Sequence, residues 1–172
     1  MDDLNMEVST EFLSFQLADE LFAIEVSKVR EVLEYTIITR VPGSKDFMEG
    51  VINVRGSVVP VMDLKKKLNI SESDTGINTR IVIMELILND EKVVAGFIAD
   101  SVREVMSLSP GQIQAPPKLG SKLRIDYSKG ILEQDDTLVI ILDIERIITG
   151  DNAVHITMDT ERYTVSDEVP AP

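Results

Sequence analysis

The sequence predicts a mainly β protein built from two small, similar barrels of five strands each. Three observations support this fold class: apolar residues alternate with polar ones along most of the chain, turn residues separate the alternating segments, and the pattern occurs twice. A chain of 172 residues with 44% hydrophobic types can bury one large core or two small ones. Closing each set of strands into a barrel removes the unpaired edges of an open sheet.

The first two strands form a predicted hairpin, because apolar residues alternate along residues 13–17 and 22–26 on either side of a turn at residues 18–20. The same alternation, bounded by turn residues, predicts eight further strands. They cover residues 36–41, 51–55, 58–62, 79–88, 92–99, 112–115, 131–134 and 138–142. Ten short strands are typical of small barrels, and one larger sandwich is the alternative architecture.

Short connecting helices are predicted where a residue with a side-chain oxygen precedes an apolar stretch of helical spacing. Such a side chain accepts a hydrogen bond from a first-turn backbone N–H that has no partner within the helix. Four residues occupy this position: Ser27, Asp63, Asp100 and Asp143. The polar stretch SESDTGIN at residues 71–78 has no apolar period and is predicted to be a linker.

An internal repeat relates the two halves of the chain. VREVL at residues 29–33 recurs as VREVM at residues 102–106, and the hairpin between Gly50 and Asp63 recurs between residues 130 and 143. We therefore divide the chain into consecutive parts, which are an acidic extension at 1–10, a first barrel at 11–78, a second barrel at 79–150 and an acidic tail at 151–172. A barrel of roughly 70 residues is marginal alone, so we expect the two to pack together.

Charge and composition exclude several classes of partner. The net charge of −13 repels nucleic acid and anionic lipid surfaces, and most of it lies at the two ends of the chain. The absence of cysteine excludes disulfides and thiolate chemistry. The start MDDLNMEVSTEF lacks the basic and apolar regions of a secretory signal, and no apolar run is long enough to span a membrane. We expect a cytoplasmic protein.

Catalytic chemistry has no recognisable place in this sequence. The single histidine is His155, in the acidic tail, and the usual nucleophile, zinc and phosphate-binding motifs are missing. The neighbouring acids Asp135 and Asp136 lie between two predicted strands, where aspartates commonly form a turn. We predict a protein that is not an enzyme and has no cofactor and no metal, with a small ligand-binding or hydrolytic barrel as the alternative.

The most specific segment is GVINVRGSVVPVMDL at residues 50–64, where two apolar strands flank Arg55, Gly56 and Ser57. A hairpin turn explains the glycine but not a guanidinium raised on an otherwise apolar hairpin. That position suits a directional hydrogen bond to a partner's carboxylate or backbone carbonyls. The alternative is a solvated turn arginine with no partner.

This segment resembles the NLRG signature of the CheW-like domain family, written here as NVRG at residues 53–56 with Val54 in place of leucine. Five other segments occur in the family's order: FLSFQL, FAIEVSKVREVLE, ITRVP, AGFIADSVREVMSLSPGQIQAPP and TLVIILDIERII. The resemblance covers residues 11–148 and leaves out both acidic ends. It implies two SH3-like barrels, and a chemotaxis adaptor that couples methyl-accepting chemoreceptor tips to the regulatory CheW-like domain of the histidine kinase CheA at membrane-associated receptor arrays, without inserting into the membrane.

The resemblance also implies functional residues. Val29 and Glu31 fall on receptor-contact positions of the family, and Arg55 falls on an arginine needed for coupling. Gly50, Asn53 and Gly56 match the signature turn, where the glycines also suit tight backbone geometry. Val29 has a second interpretation as a core residue, because helical spacing places it with residues 32 and 33.

The acidic tail is predicted to be dispensable for folding, because it lacks the apolar periodicity needed to offset the entropy of ordering and is expected to be mobile. A chain ending at Gly150 should melt within about 2 °C of the full chain, since a surface change of under about 0.5 kcal/mol shifts the midpoint little in a protein of this size. Differential scanning calorimetry measures this. A loss of several degrees would show that the tail is docked.

Overall fold

The computed structural model describes residues 8–115 and 127–149, and these residues contain ten strands. The strands are β1 (Thr10–Leu17), β2 (Glu20–Glu25), β3 (Val29–Glu34), β4 (Met48–Val54), β5 (Ser57–Met62), β6 (Arg80–Leu88), β7 (Glu91–Ala99), β8 (Ser101–Leu108), β9 (Ser128–Gln134) and β10 (Thr137–Leu142). Short helices follow β5 and β10, namely α1 (Leu64–Lys67) and α2 (residues 144–149). Single 3₁₀ turns lie at Val26–Lys28 and Pro110–Gln112. The predicted acidic tail lies outside the described residues.

The strands form two five-stranded sheets with the same internal order. One sheet has the order β8-β1-β2-β10-β9, and we call it barrel A; the other has the order β3-β6-β7-β5-β4, and we call it barrel B. Strand β1 is equivalent to β6, β2 to β7, and so on up to β5 and β10. Exchanging each strand for its equivalent converts the order of barrel A into that of barrel B. The predicted repeat is therefore present in the topology, and the predicted mainly β fold of two packed five-stranded units is confirmed.

The predicted boundary between residues 78 and 79 does not separate the two barrels. β6 and β7 lie after this boundary but belong to barrel B with β3, β4 and β5. The hairpin of β1 and β2 lies before it but pairs with β8 and β10 of barrel A. Each repeat thus gives its first hairpin to the other barrel. The repeat in the sequence identifies equivalent segments, but it does not indicate which strands pair with each other.

Each sheet is closed into a barrel by one further backbone contact. The chain after β3 bridges to β4 through Thr39 and Val51, and the chain after β8 bridges to β9 through Gln114 and Ile131. The strands predicted at 36–41 and 112–115 are not formed; these segments contain only the two isolated bridges. Because each bridge joins the two edges of its own sheet, the alternative of one continuous sandwich is wrong.

The segments VREVL and VREVM are strands β3 and β8, so the helices predicted there are wrong. Their apolar residues fit both a helical and an alternating pattern, and the valines favour the strand. The cap predictions at Asp63 and Asp143 are confirmed, because each carboxylate accepts a backbone N–H from the helix that follows. Ser27 instead lies within a 3₁₀ turn, and Asp100 lies between β7 and β8.

Three apolar cores hold the described chain together. Barrel A encloses one, with Phe12, Met106 and Ile141, and barrel B encloses another, with Ile52, Val59 and Ile83. The largest core lies between the barrels and takes side chains from both. Its centre is aromatic: the Phe15 ring of β1 lies 4.8 Å from the Phe97 ring of β7 and 6.1 Å from the Phe22 ring of β2, measured between centroids.

Gly50 is required where barrel B closes. Its φ is +150°, and a Cβ atom there would collide with the carbonyl oxygen of Thr39, which belongs to the closing bridge. Gly50→Ala should therefore lower the free energy of unfolding by about 3 kcal/mol, from overpacking together with backbone strain. Urea unfolding followed by circular dichroism measures the change.

Gly76→Ala is the matched control, because a Cβ atom there meets nothing within 4 Å. It should change the free energy of unfolding by less than about 0.5 kcal/mol. Equal stabilities for the two variants would contradict the requirement for glycine at position 50.

Candidate functional site

The turn between β4 and β5 places Arg55 in an exposed position. Arg55 and Gly56 form its two central residues, with φ values of +48° and +89°. Positive φ at both positions is the requirement of a type I′ hairpin turn, whose twist matches that of the flanking strands. The backbone N–H of Gly56 donates to the Asn53 side-chain oxygen at 3.0 Å, which fixes the turn from within.

Arg55 is an unusual residue for this backbone position. Of the described non-glycine residues with positive φ, five are asparagine or aspartate, and the other two are Ala18 and Arg55. Asparagine and aspartate tolerate the left-handed region, whereas other L-residues adopt it at a cost of about 1–2 kcal/mol. Turn geometry alone therefore favours another residue, and the reason for an arginine lies in its side chain.

The Arg55 side chain forms a two-pronged ion pair with Glu31 of β3. Arg55 Nη1 donates to Glu31 Oε2 at 2.5 Å, and Nη2 donates to Oε1 at 2.8 Å. The Arg55 side chain remains 74% exposed, whereas that of Glu31 is 20% exposed. A guanidinium carries five N–H groups, so three remain beyond the two that Glu31 accepts. The carboxylate thus orients the fork while leaving donors for a partner.

The pair is charged over the whole physiological range of pH. The hydrogen bond from Arg55, followed by its charge, holds the pKa of the Glu31 carboxyl below its ordinary value of 4.5. The same contact raises the pKa of Arg55 above its ordinary value. Each group stabilises the ionised form of the other, as expected for a bidentate arginine–carboxylate contact.

Val29 lies on the same strand but faces elsewhere. The register of β3 against β6 shifts between Val29 and Glu31, so that Val29 lies opposite Met84 and Glu31 lies opposite Ile83. Val29 is half-buried and packs against the core between the barrels. This placement agrees with the core interpretation of Val29, whereas Glu31 lies at the surface beside Arg55.

A groove of about 260 Å³ opens beside the ion pair at one end of barrel B. Its walls include Arg55, Glu31 and the exposed Val58, and its floor includes Val59 and Ile83 of the barrel core. An exposed valine next to a fixed guanidinium combines apolar area with a directional donor. Arginine is enriched in protein–protein interfaces, and the exposed valine adds apolar area beside it.

Barrel A has an equivalent groove with different charges. It is lined by Arg103, Glu104 and Asp135 among others, and Asp135 occupies the turn position that Arg55 occupies in barrel B. Asp135 and Asp136 form the turn between β9 and β10, as predicted, with φ values of +51° and +64°. The two grooves have the same volume of about 260 Å³, but only the groove of barrel B has a guanidinium on this turn.

Sequence reasoning named Arg55 and Glu31 separately and did not predict that they pair. They are 24 positions apart, and the pairing depends on β3 and the β4–β5 turn meeting in barrel B. It also missed further ion pairs among the described residues, including Lys65–Asp100, Lys28–Glu145, Lys129–Glu25 and Arg30–Glu85. The sequence feature that could have indicated these ion pairs is a charged residue next to an apolar run, as in the DLKKKL segment. Within the described ranges, no group of three or more acidic or histidine side chains is placed to hold a metal ion.

The fold and this site define a class: a small, mainly β protein of two barrels that exchange hairpins, with a surface suited to protein contacts. Residues 11–152 match the family model of the CheW-like domain. The chain therefore belongs to the CheW-like domain family.

Relatives and a solved structure agree with this assignment. The chain is 36% identical over 141 residues to the chemotaxis protein CheW of Thermotoga maritima, covering 80% of this chain and 87% of the relative. It is 32% identical over 144 residues to CheW of Klebsiella aerogenes, covering 84% of each. The crystal structure of the scaffolding protein TtCheW of Thermoanaerobacter tengcongensis matches with a TM-score of 0.73 and 32% identity, over 83% of this chain and 89% of that one.

The titration of Glu31 tests the pair directly. Its pKa is lowered in the folded chain, so the stability that the pair adds is present above pH 4.5 and is lost as the pH falls through the lowered pKa. Carbon-detected NMR of the carboxyl should give a midpoint below 4.5 in the native chain. In Arg55→Ala the midpoint should move up towards 4.5, because the largest cause of the shift is removed.

Arg146→Ala is the control for the titration, because Arg146 is an exposed arginine on α2, outside barrel B. The midpoint of Glu31 should stay in place in this variant. An unchanged midpoint in Arg55→Ala would mean that the pair is not populated in solution.

Proposed function

We propose that this protein is a chemotaxis scaffold that couples methyl-accepting chemoreceptors to the histidine kinase CheA, with Arg55 and Glu31 in the receptor-binding surface. The matched family model, the related chemotaxis proteins CheW and the similar scaffolding protein TtCheW support the scaffold role. The observation that carries the proposed site is the bidentate Arg55–Glu31 contact on an exposed turn.

The site acts by presenting a pre-oriented donor. Glu31 takes two of the five N–H groups of Arg55, and the remaining donors bind a carboxylate or backbone carbonyls at the tip of a receptor. Because Glu31 already holds the fork, less side-chain entropy is lost on binding than for a free arginine. Val58 adds apolar contact beside the charge.

Gly50, Asn53 and Gly56 have supporting roles in this proposal. Asn53 and Gly56 set the turn that raises Arg55, and Gly50 allows the close approach of Thr39 where the barrel closes. Val29, carried over from the resemblance as a contact residue, contributes by packing β3 against the core between the barrels.

We further propose that the protein performs no catalysis and works in the cytoplasm at membrane-associated receptor arrays, bound to receptors and to the regulatory CheW-like domain of CheA. The groove at Arg55 is lined by an exposed guanidinium and the exposed Val58, which favours a protein partner over the ligand-binding or hydrolytic alternative. No helix among the described residues is long and apolar enough to cross a membrane.

Replacing Arg55 should weaken receptor binding without unfolding the protein. Arg55→Ala should reduce affinity for a receptor cytoplasmic fragment about tenfold to hundredfold, since hydrogen bonds to a charged group contribute about 1.5–3 kcal/mol. Arg55→Lys should also bind more weakly, because an ammonium lacks the planar fork. Glu31→Gln should lose less, because the guanidinium stays but loses its orientation. Isothermal titration calorimetry with receptor and kinase fragments measures each affinity.

Arg146→Ala controls for the loss of one exposed arginine and should bind like the native chain. Circular dichroism melts must first show that each variant is folded. Native affinity of Arg55→Ala for both fragments would remove Arg55 from the proposed surface.

A further inference from the structure

Two ion pairs each join the helix after one barrel to a segment where the chain crosses between the barrels. The first centres on Asp100, at the point where the chain passes from β7 of barrel B to β8 of barrel A. Asp100 Oδ1 accepts from Lys65 Nζ of α1 at 2.9 Å. Asp100 Oδ2 accepts from the backbone N–H of Ala18, at the β1–β2 turn, at 2.6 Å and from Ser73 Oγ at 2.7 Å. One carboxylate therefore ties together four segments of the chain.

The second pair centres on Glu145 of α2. Glu145 Oε1 accepts from Lys28 Nζ at 2.8 Å, and Lys28 lies in the 3₁₀ turn where the chain passes from β2 of barrel A to β3 of barrel B. Glu145 Oε2 accepts from the backbone N–H of Ile87 in β6 at 2.7 Å. This carboxylate therefore links the helix after barrel A to the crossover turn and to β6 of barrel B.

The two contacts are related by the repeat, with their charges exchanged. Lys65 and Glu145 each stand second after a capping aspartate, at Asp63 and Asp143, and so occupy equivalent places in α1 and α2. In the first contact the helix supplies the cation and the crossover supplies the carboxylate. In the second contact the helix supplies the carboxylate and the crossover supplies the cation. Both carboxylates also accept a backbone N–H from the hairpin that was exchanged between the repeats.

We propose that Lys65–Asp100 and Lys28–Glu145 are two latches that fix the placement of the barrels, and that the second is a positioning device for the partner-binding strand β3. This inference rests on the proposed function, because it assigns a purpose to the placement of Glu31. Lys28 directly precedes β3, and Glu31 lies three residues further on. A shift of the 3₁₀ turn therefore moves the strand that holds the Arg55 fork.

The side chains of the two latches differ in solvent exposure, and this decides which latch can be tested by mutation. The side chains of Lys65 and Asp100 are 6% and 18% exposed, so the first latch is nearly closed to water. Those of Lys28 and Glu145 are 22% and 24% exposed. A buried ion pair that loses one partner leaves an uncompensated charge and destabilises the fold strongly. The second latch can be altered with less damage, and it is the one to test.

Neighbouring donors favour the carboxylate form of Glu145. Burial alone raises the pKa of Glu145, but hydrogen bonds from Lys28 and the Ile87 N–H outweigh it, and the net pKa lies below its ordinary value. Glu25 and Lys129 form a further pair beside it, 2.8 Å apart. Both Lys28 and Lys129 also interact with the carboxylate of the other pair through their charges. These four alternating charges form one network at the start of β3.

The second latch can be tested by exchanging the charges of Lys28 and Glu145. Lys28→Glu and Glu145→Lys each place like charges together, and the double variant K28E/E145K restores an ion pair of reversed direction at the same net charge. Each single variant should weaken binding of a soluble receptor cytoplasmic fragment about fivefold. The double variant should recover part of this loss, because the ion pair returns, but a charge-reversed residue 145 cannot accept the Ile87 N–H and the exchanged charges lie beside Glu25 and Lys129.

A distance between the barrels gives a readout that does not depend on the partner. The chain has no cysteine, so paired cysteines at exposed Glu34 of β3 and Ser107 of β8 would carry spin labels without background. The single variants should shift or broaden the Glu34–Ser107 distance distribution, and the double variant should restore it. Lys92→Glu, an exposed reversal of the same charge in β7, should change neither distance nor affinity.

The outcomes separate this inference from the proposed function. A native chain that fails to bind the receptor fragment contradicts the proposed function, while the distance measurement still decides whether the latch holds the barrels. Single variants with native distances and native affinity overturn the latch. The latch is also overturned if Lys92→Glu loses as much affinity as the single variants, or if the double variant recovers none of the lost affinity. Arg55→Ala should lose affinity and keep the native distance, because it lies outside the latch.

Discussion

The apolar core between the barrels is the constraint on which the rest of the structure depends. Each repeat places its first hairpin in the other barrel, so Phe15 of β1 and Phe97 of β7 meet at the centre of the molecule. Strands such as β6 consequently bury both faces, with Ile81 and Ile83 inside barrel B and Val82 and Met84 in the shared core. A side chain on either face of such a strand touches one core or another, which explains the long apolar runs.

The same constraint fixes the candidate site. β3 begins where the chain leaves barrel A, and its first residue, Val29, is anchored in the shared core. The register shift that follows turns Glu31 out to the surface, where it meets the Arg55 turn. The position of a charged pair at the surface is therefore set by apolar packing two residues away. The strained backbone of Arg55 is held in place by a hairpin whose strands are both part of barrel B.

The sequence was a good guide to local structure and a poor one to long-range pairing. The hairpins, the turn at Asp135 and Asp136, and the caps at Asp63 and Asp143 depend on adjacent residues, and all were predicted correctly. The segment starting at Val29 satisfied both a helical and a strand pattern, and only its pairing with β6 decides between them. The exchange of hairpins and the Arg55–Glu31 contact depend on segments far apart in sequence, for which alternation and turn residues carry no information.

The exchange of hairpins also sets an order on folding during synthesis. Barrel B is made of consecutive strands, so the ribosome delivers all of it by the end of β7 at Ala99. The hairpin of β1 and β2 leaves the ribosome first, yet its partners are β8 and β10, and the second of these spans Thr137–Leu142. Chains emerge in one direction, and contacts between distant segments form slowly. The hairpin of β1 and β2 can thus meet β7 and β8 early, but it gains its last strand partner, β10, only after every strand of barrel B has been translated.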